Sequence, residues 1–213
     1  MKSFTKEKAL SIIVNCAKAS KEHLDGNDLL FILSDKHLNT SFFEVSFYAF
    51  NFLHLTGVKL SKDIKAIDFY ENCLDGKVSI EDFELADDGT TELKLNVLPS
   101  IVNRNISAKM VSDYDGSNPK LYTERLAGGS KACIGFVNSD MLQKFVPNTV
   151  LNVDIRNISK SYLRIVATYR KNRNDEQYTE LVYKAKNIDW AKITYPSKYS
   201  YIAIPKKKNP IPF

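Results

Sequence analysis

Of the three histidines in the chain, His23, His37 and His54, only His54 stands inside an apolar run, NFLHLTGVKL. An imidazole with an ordinary pKa of about 6.5 exchanges protons near neutral pH, so His54 is the natural acid or base of this sequence. Lys94, in TELKLNV, and the arginines of SYLRIVATYR could neutralise developing negative charge. Thr123, in LYTERLAG, and Tyr114, in SDYDG, could orient phosphate oxygens through their hydroxyls. A proton carrier, a cation and oriented hydroxyls are what RNA cleavage without a metal requires, because the 2′-hydroxyl must lose a proton and the phosphorane must be stabilised. Taken singly, each has a commoner structural role: a histidine among Leu and Phe is usually a hydrogen-bonded core residue, a helical lysine is usually solvated, and a strand threonine reflects β propensity.

A second set of residues suits binding. Strict alternation in SYLRIVATYR puts Tyr162, Arg164, Val166, Thr168 and Arg170 on one face and Leu163, Ile165, Ala167 and Tyr169 on the other. The connection KNRNDE adds Lys171 and Arg173, and the strand beyond it adds Tyr178, Lys184 and Lys186. If the two strands pair, they form a basic, tyrosine-bearing surface of the kind that holds phosphates while bases stack. An ordinary solvent-facing amphipathic hairpin accounts for the same pattern equally well. Charge favours an anionic partner: residues 1–140 carry 16 Lys plus Arg against 20 Asp plus Glu, whereas residues 141–213 carry 14 against 5.

Other chemistries are poorly supplied. The cysteines, Cys16, Cys73 and Cys133, are odd in number and far apart, with no zinc-type pairing, so reduced buried thiols and no metal or other cofactor are expected. Gly128-Gly129-Ser130 falls between two expected strands, which excludes a phosphate-binding loop. No Gly-x-Ser-x-Gly or His-Glu-x-x-His occurs. No run approaches the roughly 20 apolar residues of a membrane span, and the lysines around Ala9 to Ala17 do not fit a signal peptide. An intracellular protein with no membrane partner is expected.

The elements that position these residues follow from periodicity. A helix is expected from Thr5 to His23, then strands at Leu29 to Leu33 and Ser41 to Phe52 that pair, with His54 at the end of the second. SKDIKAIDFYENCLDG is expected to be a helix capped by Ser61 and stopped by Gly76, followed by a helical turn near Ser79 to Ala86 and a helix over TELKLNVLPSIV. Strands are expected at Lys109 to Tyr114, Leu121 to Ala127, Lys131 to Asn138, Ser161 to Arg170 and Gln177 to Lys186. Helices first and antiparallel strands after them argue for an α+β class. The whole chain, 1–213, is expected to form a single domain, with 187–213 as a C-terminal extension ending in the basic, Pro-containing tail IPKKKNPIPF.

NFLHLTGV, IDFYENCLDGKVSIED, TTELKLNVLPSI, SDYDG, LYTERLAG, IGFVN, FVPNTVLNVDIRN and QYTELVYKAK, in that order, resemble a phage-encoded domain family of the barnase, EndoU, colicin and RelE-like nuclease superfamily. The resemblance spans roughly Lys6 to Lys186. It implies helices packed on an antiparallel sheet, metal-independent ribonuclease activity on tRNA or another structured RNA, and a phage setting in the cytoplasm of a bacterial host. The positions falling in the motif are His54, Lys94, Tyr114, Thr123 and Lys184. Only one histidine is well placed, so a two-histidine mechanism is not available unless His23 or His37 folds back. Two readings stay open: a ribonuclease with His54 as acid or base and Lys94 as stabiliser, or a non-catalytic RNA-binding protein that grips a host ribonucleoprotein or defence complex such as CRISPR. An ADP-ribosyl transferase is a third reading that no spacing demands.

Overall fold

The computed structural model describes residues 4–61, 63–116 and 119–202. Thr5 caps the first helix, α1 (Lys6–His23), its hydroxyl accepting the Lys8 N–H at 3.3 Å. Ala9, Ile13, Cys16, Ala17 and Ser20 are its buried stripe, at the helical spacing that predicted it. Gly26, at φ 78°, turns the chain into β1 (Asn27–Ser34), which is buried from Asp28 onward. Strand β2 (Thr40–Ser46) pairs antiparallel with it, Phe31 opposite Phe43.

The second strand is shorter than expected. After Ser46 the chain passes through a 3₁₀ turn at Ala49–Asn51 into a short helix, α2 (Phe52–Thr56). Phe52, Leu55 and Thr56 are the buried residues of α2. That i, i+3, i+4 spacing belongs to a helix, so the aromatic and β-branched content of the run misleads. His54 therefore sits on a helix rather than at a strand end.

A ribbon of β3 (Lys59–Leu60) and, later, β4 (Phe83–Glu84) flanks α3 (Ala66–Asp75). Ser61 does not cap α3: Lys65 occupies that position, while the Ser61 N–H is held by the Asp82 carbonyl at the ribbon's end. Gly76, at φ 70°, ends the helix as expected. The expected helical turn after it is a tight turn fixed by the Asp82 carboxylate, which accepts the Ser79 N–H at 2.8 Å and leads into β4. Helix α4 (Thr90–Ile101) follows.

The remaining strands are β5 (Met110–Asp113), β6 (Arg125–Gly128), β7 (Cys133–Ser139), β8 (Lys144–Leu151), β9 (Leu163–Asn172) and β10 (Glu180–Lys184). Strand β8 was not expected, because Pro147 and Asn148 interrupt its apolar pattern. Both sit at a bulge where Phe136 pairs with Pro147 and Gly135 with Thr149, so the missing proline N–H costs no ladder bond there. The sheet has eight strands in the order β1-β2-β8-β7-β6-β5-β9-β10, and β1 also pairs with β9, closing the order on itself. Every pairing in it is antiparallel except β2 with β8, which meet through Val45 and Phe145. The fold is α+β, with a mixed sheet.

Two apolar layers hold it together. On one face, Leu29, Phe31, Leu33, Phe43, Val45 and Ile165 pack with Ile13, Cys16, Phe52, Phe69, Leu95 and Leu98 of the helices. On the other, Leu30, Ile32, Val166, Ala167 and Tyr169 pack with Ile193, Tyr199 and Ile202 of the C-terminal segment. Cys16, Cys73 and Cys133 are free and buried. Among the described residues, no helix is long and apolar enough to cross a membrane.

Candidate functional site

Where β2 meets the starts of β6 and β8, the β9–β10 connection and the C-terminal segment, the surface opens into a cleft of 540 Å³. Glu44 is the one charged residue in the β2 run TSFFEVS, and strand alternation puts it on the cleft face with Phe42. Its Oε2 accepts from Lys198 Nζ at 2.8 Å and its Oε1 from the Tyr178 hydroxyl at 3.0 Å. Burial raises this carboxyl, but bonds from Lys198, Tyr199 and Tyr178 and the Lys198 charge outweigh it, holding Glu44 below the ordinary carboxylate range. The same pairing pushes Lys198 above the ordinary lysine range. Burial, with Glu44 close by, pushes the Tyr199 phenol up to about 12.

The cations of the cleft are anchored. Asp28, with only 4% of its side chain exposed, takes Lys144 Nζ at 2.9 Å, and lies 4.0 Å from Lys171 Nζ and 3.8 Å from Arg173 Nε. Arg173 also donates to the Phe47 carbonyl and lies 3.6 Å over the Tyr48 ring. Arg125 pairs with Asp113 at 3.0 Å and lies over the rings of Phe43 and Phe145, 4.9 and 5.5 Å from their centroids. A carboxylate that is ionised at neutral pH, cations fixed by packing and aromatic walls together suit proton abstraction beside a phosphodiester.

The residues expected to bind nucleic acid disperse. Lys171 and Tyr178 line the cleft, and Arg173 stands behind them against Asp28. Arg170 is turned toward the helices, bonded to Glu180 at 2.6 Å and to the His23 carbonyl at 3.2 Å, with Arg104 on the same carboxylate. Arg164 donates to the Lys186 carbonyl at 3.0 Å, and Lys184 lies 5.0 Å from the Trp190 ring centroid. Lys186 is exposed. These residues do not share one face, because Ile32 pairs with Ala167 but Leu33 with Ile165, leaving Val166 as an extra residue. A one-residue bulge reverses every side chain beyond it, so Ile165 faces the helices while Ala167 and Tyr169 face the C-terminal segment. Of the surface expected to be open, that segment covers Val166 and Tyr178, while Tyr162, Arg164 and Lys186 stay exposed.

The four expected catalytic residues lie away from the cleft and from one another's chemistry. The His54 side chain is exposed on α2, and its backbone carbonyl accepts from Lys94 Nζ at 2.8 Å. Lys94 lies across Gly57, whose φ is 73° and where a Cβ would stand 2.8 Å from Lys94 Cδ. Burial pulls Lys94 below the ordinary lysine range. It closes the C-terminal end of α2, a position where a cation is favoured. Tyr114 is buried with Leu126, Cys133 and Ile155 and donates to the Pro119 carbonyl. Thr123 is buried and donates to Asn148 Oδ1 at 3.1 Å beside the β8 bulge.

Glu44, Arg125, Lys144 and Lys198 were missed because each is unremarkable in its own segment and strand order alone brings them together. The available signal was Glu44, an acid among Phe42, Phe43 and Val45. Among the described residues, no three of His, Cys, Asp and Glu are grouped to hold a metal ion.

Helices on one face of a sheet whose rim carries an anchored carboxylate and cations define an α+β domain with a cleft lined by charged and aromatic side chains. The family model described as phage-Barnase-EndoU-ColicinE5/D-RelE like nuclease 4 matches residues 12–187, and the chain belongs to that family. Neither the curated proteins nor the solved structures gave a match.

Proposed function

We propose that this nuclease-family chain cleaves RNA without a metal and that the cleft is its active site. Glu44 carries this reading, as an anionic carboxylate held among cations and aromatic rings at an open cleft. Glu44 removes the 2′-hydroxyl proton, and the freed oxygen attacks phosphorus. Arg125, Lys144 and Lys171 balance the phosphorane charge, and the 5′-oxygen leaves with a proton from water at the cleft mouth. The products are a 2′,3′-cyclic phosphate and a 5′-hydroxyl. Phe42, partly buried, and Tyr201, exposed, line the same cleft and suit stacking of unpaired bases, which favours loops of tRNA or other structured RNA in a bacterial host. Lys184 at the end of β10 and Lys186 just beyond it extend the contact. His54, Lys94, Tyr114 and Thr123 support the fold around it.

The test is incubation of the purified chain with total RNA in EDTA. Cleavage that persists in chelator and in His54→Ala, with cyclic-phosphate ends, supports the reading; the absence of any cleavage sinks it.

The Lys198 ion pair already on Glu44 favours a second reading, a non-catalytic RNA-binding protein that blocks a host defence ribonucleoprotein such as a CRISPR complex. RNA that copurifies intact and is released by salt, with no turnover, selects that reading.

A further inference from the structure

The family match ends at residue 187, yet the residue that neutralises the cleft carboxylate lies beyond it, in the C-terminal segment. That segment is seated rather than loosely appended. Ile193, Tyr199 and Ile202 are buried on Leu30, Ile32 and Val166, and the Thr40 hydroxyl donates to the Thr194 carbonyl at 3.0 Å. The Tyr201 hydroxyl accepts the Tyr178 N–H at 3.0 Å, tying the segment to the β9–β10 connection. The Tyr199 and Phe42 rings lie 5.4 Å apart, beside the strand position of Glu44. These contacts fix Lys198, with Nζ 2.8 Å from Glu44 Oε2.

We infer that Lys198 is a positioning residue for Glu44, so that the working site extends past the family domain and is completed by the C-terminal segment. The inference rests on the cleft being the active site. An ammonium at this distance orients the carboxylate and keeps it ionised, the form that accepts a proton. The other charged or titratable groups at the cleft are Tyr199 and Tyr201 from the same segment, Tyr178 and Glu176 from the β9–β10 connection, Lys171 from β9, Arg125 from β6, Lys144 from β8 and Asp28 from β1. Of these, Tyr178 and Tyr199 also bond Glu44, as neutral donors, so Lys198 supplies the charge.

The experiment compares full-length wild type, Lys198→Met and Lys198→Arg in two measurements at low salt. The first is the pH profile of kcat/KM on a short RNA. The second is the Glu44 carboxyl titration followed by carbon NMR without substrate. The expected result is that Lys198→Met moves the acidic limb and the Glu44 titration upward together, by about one pH unit, and that Lys198→Arg restores both. An unmoved Glu44 titration in Lys198→Met overturns the inference, as does a wild-type acidic limb in that variant. If the wild type cuts no RNA, the active-site reading falls by itself. The NMR titration then still decides whether Lys198 controls Glu44. Because Lys198 has 68% of its side chain exposed, Lys198→Met is expected to fold, and the unchanged dispersion of its spectrum checks this.

Discussion

Removing the Asp28 carboxylate tests how the cleft is assembled. The side chain is 4% exposed and gathers Lys144, Lys171 and Arg173 from β8, β9 and the β9–β10 connection. Truncating one member of a buried charge pair typically costs ~3–5 kcal/mol, because the partner is left buried and uncompensated. Here the stranded cations have other outlets. Lys144 is 39% exposed and can turn to water, Lys171 keeps the Asp175 carbonyl at 2.6 Å, and Arg173 keeps the Phe47 carbonyl and the Tyr48 ring. The cost of Asp28→Ala is therefore placed at or below the lower limit of that range, about 2–3 kcal/mol. At ~2–4 °C per kcal/mol for a chain of this size, that lowers Tm by roughly 4–12 °C. Urea unfolding monitored by circular dichroism measures it, with Asp28→Asn, which keeps an acceptor, losing less. RNA affinity should fall as well, since Lys144 and Lys171 lose their anchor. A variant within about 0.5 kcal/mol of wild type, binding RNA normally, refutes the assignment of Asp28 as organiser of the cleft.

Gly135→Ala would place a Cβ 2.8 Å from the Cγ2 atoms of both Thr123 and Thr149, so a loss of ~1–3 kcal/mol in urea unfolding is expected, partly recovered by adding Thr123→Ser. Burial pushes all three thiols up to about 12, so Ellman's reagent at pH 8 should label none of them in the native protein and all of them in guanidinium. The folded Glu44 carboxyl titrates below its unfolded value, so its contribution to stability is present above pH ~4.5 and lost as pH falls through the folded pKa. With 39% of that side chain exposed, solvent screening limits the contribution to at most about 1 kcal/mol. The Tm gap between wild type and Glu44→Gln should accordingly be small at pH 7 and vanish near pH 3.

Local signals carried much of the fold. The capped stripe of α1, the continuous apolar run of β1 and the Gly76 stop of α3 are legible because each depends on neighbours in sequence. The family was legible too, through motifs spread in order along most of the chain. What escaped depends on partners far away. The α2 helix is set by which side of it meets the core, β8 survives Pro147 only because its partner β7 accepts a bulge, and one extra residue in β9 moves Ala167 and Tyr169 to the opposite face from Ile165. The cleft is the extreme case, since Glu44, Arg125, Lys144 and Lys198 come from segments joined only by strand order and by the packing of residues 193–202 on the sheet. Of the binding residues expected from sequence, Lys171 and Tyr178 reach that cleft because the β9–β10 hairpin does form.

The most direct measurement is single-turnover cleavage of a short RNA in EDTA by wild type and Glu44→Gln, with the Kd of each measured on the same RNA carrying a 2′-deoxy block at the scissile position. Loss of the general base predicts a rate reduced by ~10²–10⁴-fold with Kd little changed. An unchanged rate in Glu44→Gln would contradict the account.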